Sequence, residues 1–213
     1  MPISLHQHIY PLGEVGIWEI QEPESYFRED LDLSQKEITQ IDSMIGKRRI
    51  EWLAGRKLLH EMSGRETRGV CLKDEFGKPY LEDSDYHISI SHSHELVAVA
   101  AAPVSVGVDI QYLVEKIGRI AHKFVREEEA ATILPETRLE HQHVIWGAKE
   151  CLYKAYGRKQ LDFLVHLQIE PFVYRPEGGL TTGWVIKEDY KAYFQVYYEL
   201  HGDYMFVYTV ERS

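Results

Sequence analysis

The spacing of apolar residues along the chain changes repeatedly, and each change marks an element. Val15-Gly16-Ile17-Trp18-Glu19-Ile20 reads as a first strand. Ser34 and Glu37 have capping-box spacing: a hydroxyl that caps free N–H groups, and a carboxylate three residues on that answers it. The helical pattern that follows is clearest from Arg48 to Met62. There Ile50, Leu53, Ala54, Leu58 and Met62 recur at helical spacing, and Gly64 stands just past the end. Val70 to Leu72 predicts a short strand, followed by a Phe76-Gly77-Lys78-Pro79 turn. Tyr86 to Ile90 and Leu96 to Ala102 predict two more strands, separated by the polar run Ser91-His92-Ser93-His94. Pro103 breaks the pattern, and Val104 to Ile110 resumes it as a strand.

From about Val114 to Tyr156 the period is helical, in three pieces interrupted near Arg126 and Pro135, with Gly157 placed as a C-cap. The remainder alternates as strands over Val165–Tyr174, Leu180–Ile186, Ala192–Leu200 and Tyr204–Val210. Glu177-Gly178-Gly179 and His201-Gly202-Asp203 supply turns. Strand, helix and strands therefore occur twice. The expectation is an α+β chain of two lobes, 1–103 and 104–213.

Composition narrows the function. A formal net charge of −10 argues against a protein that grips nucleic acid over a broad basic surface. It leaves room for a small basic pocket, because local and net charge are separate matters. Cys71 and Cys151 are too few for a disulfide framework, which points to a reducing cytoplasm. The opening MPISLHQHIY lacks the pattern of a signal peptide, and no uncharged run approaches the roughly 20 residues of a membrane span, so no membrane role is expected.

Four groups of residues carry candidate chemistry. In Gly107-Val108-Asp109-Ile110-Gln111, strand alternation turns Asp109 and Gln111 one way and Val108 and Ile110 into a core. An aspartate there suits a hard cation such as Mg²⁺, although strands also end in Asp simply to turn. On the helix Trp146-Gly147-Ala148-Lys149-Glu150-Cys151-Leu152-Tyr153-Lys154, Trp146, Glu150 and Lys154 form one stripe. Glu150 and Lys154 read either as a surface ion pair or as a carboxylate and an ammonium holding metal and phosphate together. Lys78 sits in a rigid Gly-Pro turn, and further along Ser91 and His92 offer a hydroxyl and an imidazole to an anion, or merely a polar hairpin tip. A zinc site from His87, His92 and His94 lacks a cysteine or acidic partner at ligand spacing. Lys47, Arg48 and Arg49, with Arg56 and Lys57 beyond, form a basic helical run whose default reading is a solvated face.

Taken in order, an FGKP-like turn, xISHS, GVDxx and WxxKExxxK resemble the phosphopantetheinyl transferase superfamily, in particular its larger, monomeric, Sfp-type members. The resemblance spans roughly Ser34 to Asp162. It implies two similar α+β lobes related by a pseudo-twofold axis, the second carrying the metal site, with coenzyme A in the cleft between them. It implies transfer of the 4′-phosphopantetheine group of coenzyme A to a serine of an apo carrier protein (acyl, polyketide or peptidyl), releasing adenosine 3′,5′-bisphosphate. Asp109 and Glu150 match the family's metal-binding carboxylates for Mg²⁺, with Mn²⁺ as a substitute, and Glu150 also matches the candidate general base. Lys154 matches the lysine facing the pyrophosphate. Lys78, Ser91 and His92 match residues lining the nucleotide. Arg48 or Arg49, with Lys36, falls near the position that meets the 3′-phosphate. Gln111 departs from the family pattern, since many members carry an acid there; an amide offers the metal a neutral oxygen and removes one charge.

The resemblance thus implies a holo-[acyl-carrier-protein] synthase type enzyme acting as a monomer in fatty acid, polyketide or non-ribosomal peptide synthesis. Because carrier proteins are generally acidic, docking is expected on the basic segment Lys116 to Arg126, through Lys116, Arg119, Lys123 and Arg126, with Ile120 and Phe124 offering apolar contact or else simply core. Two other readings compete. A metal-dependent nuclease also uses Asp, Glu and Lys, but normally places the lysine two residues after the glutamate rather than four. A non-catalytic coenzyme A-binding scaffold would explain Gln111.

Overall fold

The computed structural model of the chain describes residues 2–9 and 12–212. Backbone contacts gather into two compact units, one ending at Pro103 and the other beginning at Val104. Each is a mixed α+β unit built on an antiparallel sheet.

The first unit holds β1 (Ile3–Ile9), β2 (Gly13–Glu19), α1 (Glu24–Asp30), α2 (Gln35–Asp42), α3 (Lys47–Ser63), β3 (Cys71–Lys73), β4 (Pro79–Leu81), β5 (His87–Ser93) and β6 (Leu96–Ala102). Its sheet runs β1-β2-β6-β5-β4-β3. Leu53, Ala54 and Leu58 of α3 bury completely in the core, with Trp18, Phe27, Ile41 and Val97. The capping box forms: the Glu37 N–H donates to Ser34 Oγ at 3.3 Å, and the Ser34 N–H to Glu37 Oε2 at 3.0 Å. Glu37 reaches further. Both its oxygens accept from the Arg68 guanidinium at 2.8 and 2.6 Å, and Oε1 also accepts the Cys71 N–H at 3.1 Å. Those bonds hold its carboxyl below the usual range against the opposing effect of burial.

The polar run expected to separate two strands belongs to one of them. β5 continues through Ser93, with Ser91 opposite Ala98 and His92 opposite Val97, and the turn falls at His94, which adopts φ 50.

The second unit holds β7 (Val106–Tyr112), α4 (Ile117–Ile120), α5 (Glu127–Ala130), α6 (Arg138–Tyr156), β8 (Leu167–Ile169), β9 (Gly179–Lys187), β10 (Tyr190–His201) and β11 (Tyr204–Arg212), with short 3₁₀ turns around α5. The sheet runs β7-β11-β10-β9-β8. Ala148, Cys151 and Leu152 of α6 bury fully against it. Two glycines let this helix lie close. A Cβ on Gly107 would stand 2.1 Å from the Cys151 carbonyl oxygen, and one on Gly147 would stand 2.8 Å from Val207 Cγ2. Backbone therefore meets backbone where α6 crosses β7.

Candidate active site

The close crossing of α6 over β7 brings a strand carboxylate within reach of helix side chains. Asp109, 7% exposed, accepts the Lys154 ammonium on Oδ1 at 2.8 Å. Lys154 also donates to the Val108 carbonyl at 2.9 Å. Burial opposes the Lys154 charge, but the adjacent Asp109 outweighs it and lifts the pKa above the ordinary lysine value. Glu150 lies one helical turn earlier on the same stripe. Burial raises its pKa, the negative charge of Asp109 raises it further, and Lys154 offsets part of the rise. Two carboxylates that repel each other inside a half-buried site, beside one ammonium, form a place where an added cation lowers the energy.

Gln111 turns its donor face to this site. Nε2 donates to Asp109 Oδ2 at 3.2 Å and approaches the His143 carbonyl at 3.4 Å. The hard oxygen donors facing the pair are thus those of Asp109 and Glu150, a chemistry that fits Mg²⁺. Among the described residues no group of three or more His, Cys, Asp or Glu is placed to hold a metal ion.

Trp146, the third member of the stripe, packs edge-to-face on Phe124 at 5.0 Å and tilted on Phe163 at 5.5 Å. Next to Glu150, the sequence reading passed over Lys149. It is fully buried and donates to Glu129 Oε2 at 2.9 Å, the Phe124 carbonyl at 2.6 Å and the Phe163 carbonyl at 3.0 Å. Glu129, 2% exposed, also accepts the backbone N–H groups of Arg126 and Ile169 at 2.8 and 2.9 Å. A lysine flanked by core positions on a packed helix was the signal for this tie.

In the first unit the expected residues stand apart in role. Lys78 lies in a turn that Asp74 closes: the Asp74 side chain accepts the Lys78 N–H at 2.8 Å, and Gly77 takes φ +86. Ser91 is buried, whereas His92 is exposed on the opposite strand face and meets Glu51 of α3 at 3.3 Å. Arg49 is committed to the Met44 carbonyl and Glu24, and Lys36 to Glu82 at 2.5 Å. Arg48 is exposed. After burial, Arg56 and Arg48 are the charges that lower the pKa of Lys73, so these cations lie close together; Lys73 was not singled out from sequence.

The sequence model of the 4′-phosphopantetheinyl transferase superfamily matches residues 105–208, which include Asp109, Glu150 and Lys154. That match spans nearly the whole of the second unit, which begins at Val104. A similar protein is the 4′-phosphopantetheinyl transferase gsp of Aneurinibacillus migulanus, 35% identical over 91 residues. The alignment covers 40% of this chain and 37% of that relative's length. Gly107, inside the matched segment, has a physical reading, since the glycine of the strand motif is the one that admits the α6 backbone. Among the described residues, no helix is long and apolar enough to cross a membrane.

Proposed function

We propose that the chain transfers the 4′-phosphopantetheine group of coenzyme A to a serine of an apo carrier protein, as a holo-[acyl-carrier-protein] synthase type enzyme acting as a cytoplasmic monomer. One observation carries the reading. Asp109, Glu150 and Lys154 form a coupled carboxylate, carboxylate and ammonium site inside the segment that matches the superfamily. A Mg²⁺ ion held by Asp109 and Glu150 would neutralise charge on the coenzyme A diphosphate. The serine oxygen forms its bond to the β-phosphorus as the bond to adenosine 3′,5′-bisphosphate breaks, and the serine proton passes to Glu150. Burial and Asp109 raise the basicity of Glu150, which suits it to that proton. Lys154 directs its ammonium at the oxygens where charge collects. Arg48, exposed and beside Lys73, suits the 3′-phosphate better than Arg49, whose guanidinium is already occupied.

Carrier docking falls to Lys116, Arg119 and Lys123 around Ile120, which is 38% exposed. Phe124 is core, and Arg126 is held by the Leu164 carbonyl at 2.8 Å and by Glu128, so neither joins the patch. Incubation with coenzyme A, Mg²⁺ and a panel of apo carriers tests the reading by the mass gain of a phosphopantetheine arm. Glu150→Ala is expected to remove the gain while keeping most coenzyme A binding. Coenzyme A binding without a gain on any carrier would replace the enzyme by the scaffold reading.

A further inference from the structure

We propose that His6, His8 and Glu14 form a surface binding site for a transition-metal dication of the Zn²⁺ class, separate from the proposed transfer site. His6-Gln7-His8 lies on β1, where residues two apart share a face. Antiparallel pairing sets Glu14 of β2 directly opposite His8, with His6 on the diagonal. Backbone register alone therefore gathers two imidazoles and a carboxylate on one patch of the sheet.

The side chains follow the register. His6 Nε2 stands 2.6 Å from Glu14 Oε2, His8 Nδ1 stands 3.7 Å from Glu14 Oε1, and the two ring centroids are 6.0 Å apart. Tetrahedral bonds of about 2.0–2.1 Å put neighbouring ligand atoms about 3.3 Å apart, and two bound imidazole centroids about 5 Å apart. The observed ligand-atom spacings straddle the first value, and the centroid spacing exceeds the second by about 1 Å. As they stand the three side chains do not close a coordination shell. The missing movement is small, because the His8 side chain is 87% exposed and can turn in solvent.

Donor chemistry selects the ion. Two nitrogens and one oxygen suit Zn²⁺, whereas Mg²⁺ prefers oxygen throughout. Three protein ligands leave a fourth position for water on this open face. As exposed ion pairs the His–Glu contacts contribute little stability. With an ion between them the same convergence becomes a clamp: β1 is the last strand of its sheet, and a dication shared with Glu14 pins that edge to β2.

Zn²⁺ titrated into the untagged full chain, in excess Mg²⁺ to keep it from the proposed transfer site, tests the clamp by calorimetry and histidine ring resonances. Saturable binding of one Zn²⁺ is expected to shift the His6 and His8 rings together and to slow amide exchange across residues 4–9. His6→Gln, His8→Gln and Glu14→Gln should each weaken that ion by about tenfold or more, since even outer-shell losses cost about that much. Thermal unfolding in the absence of Zn²⁺ should stay unchanged in all three. None of these residues belongs to the proposed transfer chemistry, so carrier modification and Zn²⁺ binding can fail independently. Undiminished Zn²⁺ affinity in His6→Gln or His8→Gln, a shift at one ring alone, or no saturable binding in excess Mg²⁺ would overturn the site.

Discussion

Replacing Gly107 by alanine tests whether the close crossing of α6 and β7 builds the site. The new Cβ would stand 2.1 Å from the Cys151 carbonyl oxygen and 2.6 Å from its carbonyl carbon, both backbone atoms unable to swing aside. Ordinary contact begins at 3.4 Å, so the helix must retreat by about 1.3 Å. A retreat of that size would stretch the 2.8 Å Lys154–Asp109 bond to about 4 Å, beyond hydrogen-bonding range. Overpacking a dense core costs about 1–3 kcal/mol, and a clash of backbone with backbone belongs at the upper end. Gly118→Ala is the control, since its Cβ meets nothing nearer than Gln142 Oε1 at 3.5 Å and should change stability by less than about 0.5 kcal/mol. Urea unfolding followed by tryptophan fluorescence gives both costs, and Mg²⁺ titration calorimetry reports on the site. If Gly107→Ala unfolds at the same urea midpoint as Gly118→Ala and retains Mg²⁺ binding, the glycine does not set the geometry.

Other residues yield further expectations. His141 is 1% exposed, packs on Phe172 at 4.4 Å, and has both ring nitrogens unpartnered; burial pushes its pKa down to about 4 from 6.5. The unfolded chain then takes up the proton first, so roughly 3 kcal/mol of stability should be lost as pH falls from 6.5 to 4, and His141→Leu should flatten that part of a stability–pH curve. Lys149→Met leaves Glu129 charged and buried, and should cost about 3–5 kcal/mol in urea melts; the Lys149→Met, Glu129→Met double variant should recover part of the loss. Gln111→Glu adds an acidic oxygen beside Asp109, and should tighten Mg²⁺ binding by calorimetry while lowering the thermal midpoint of the metal-free protein.

The elements that sequence showed clearly are those whose signals are local. Ser34 and Glu37 announce α2, and Gly64 and Gly157 end α3 and α6 with φ 60 and 73. α1 was hidden because Pro23 gives it no side-chain cap and Phe27 is its one buried residue. β1 was hidden as an edge strand whose ISLHQHI sequence is largely polar. The expected strand from Val165 to Tyr174 shrinks to Leu167–Ile169, because Pro171 cannot extend the ladder. At the site, the shared face of Glu150 and Lys154 followed from helical spacing. The partner of Lys154 did not, since Asp109 lies 45 positions away and meets it only through the fold. Lys149 and Glu129 escaped for the same reason, and the inward amide of Gln111 depends on the His143 carbonyl, which no residue pattern specifies.

Glu37 binds the start of a helix to the arrival of a distant strand. With Ser34, Arg68 and the Cys71 amide all converging on one carboxylate, α2 cannot fray at its N-terminus without stranding a charge in the interior. Opening of that turn and detachment of β3 should therefore be a single cooperative event. Deuterium uptake at the amides of Glu37 and Cys71 should then share one rate and one denaturant dependence, although 34 positions separate them along the chain.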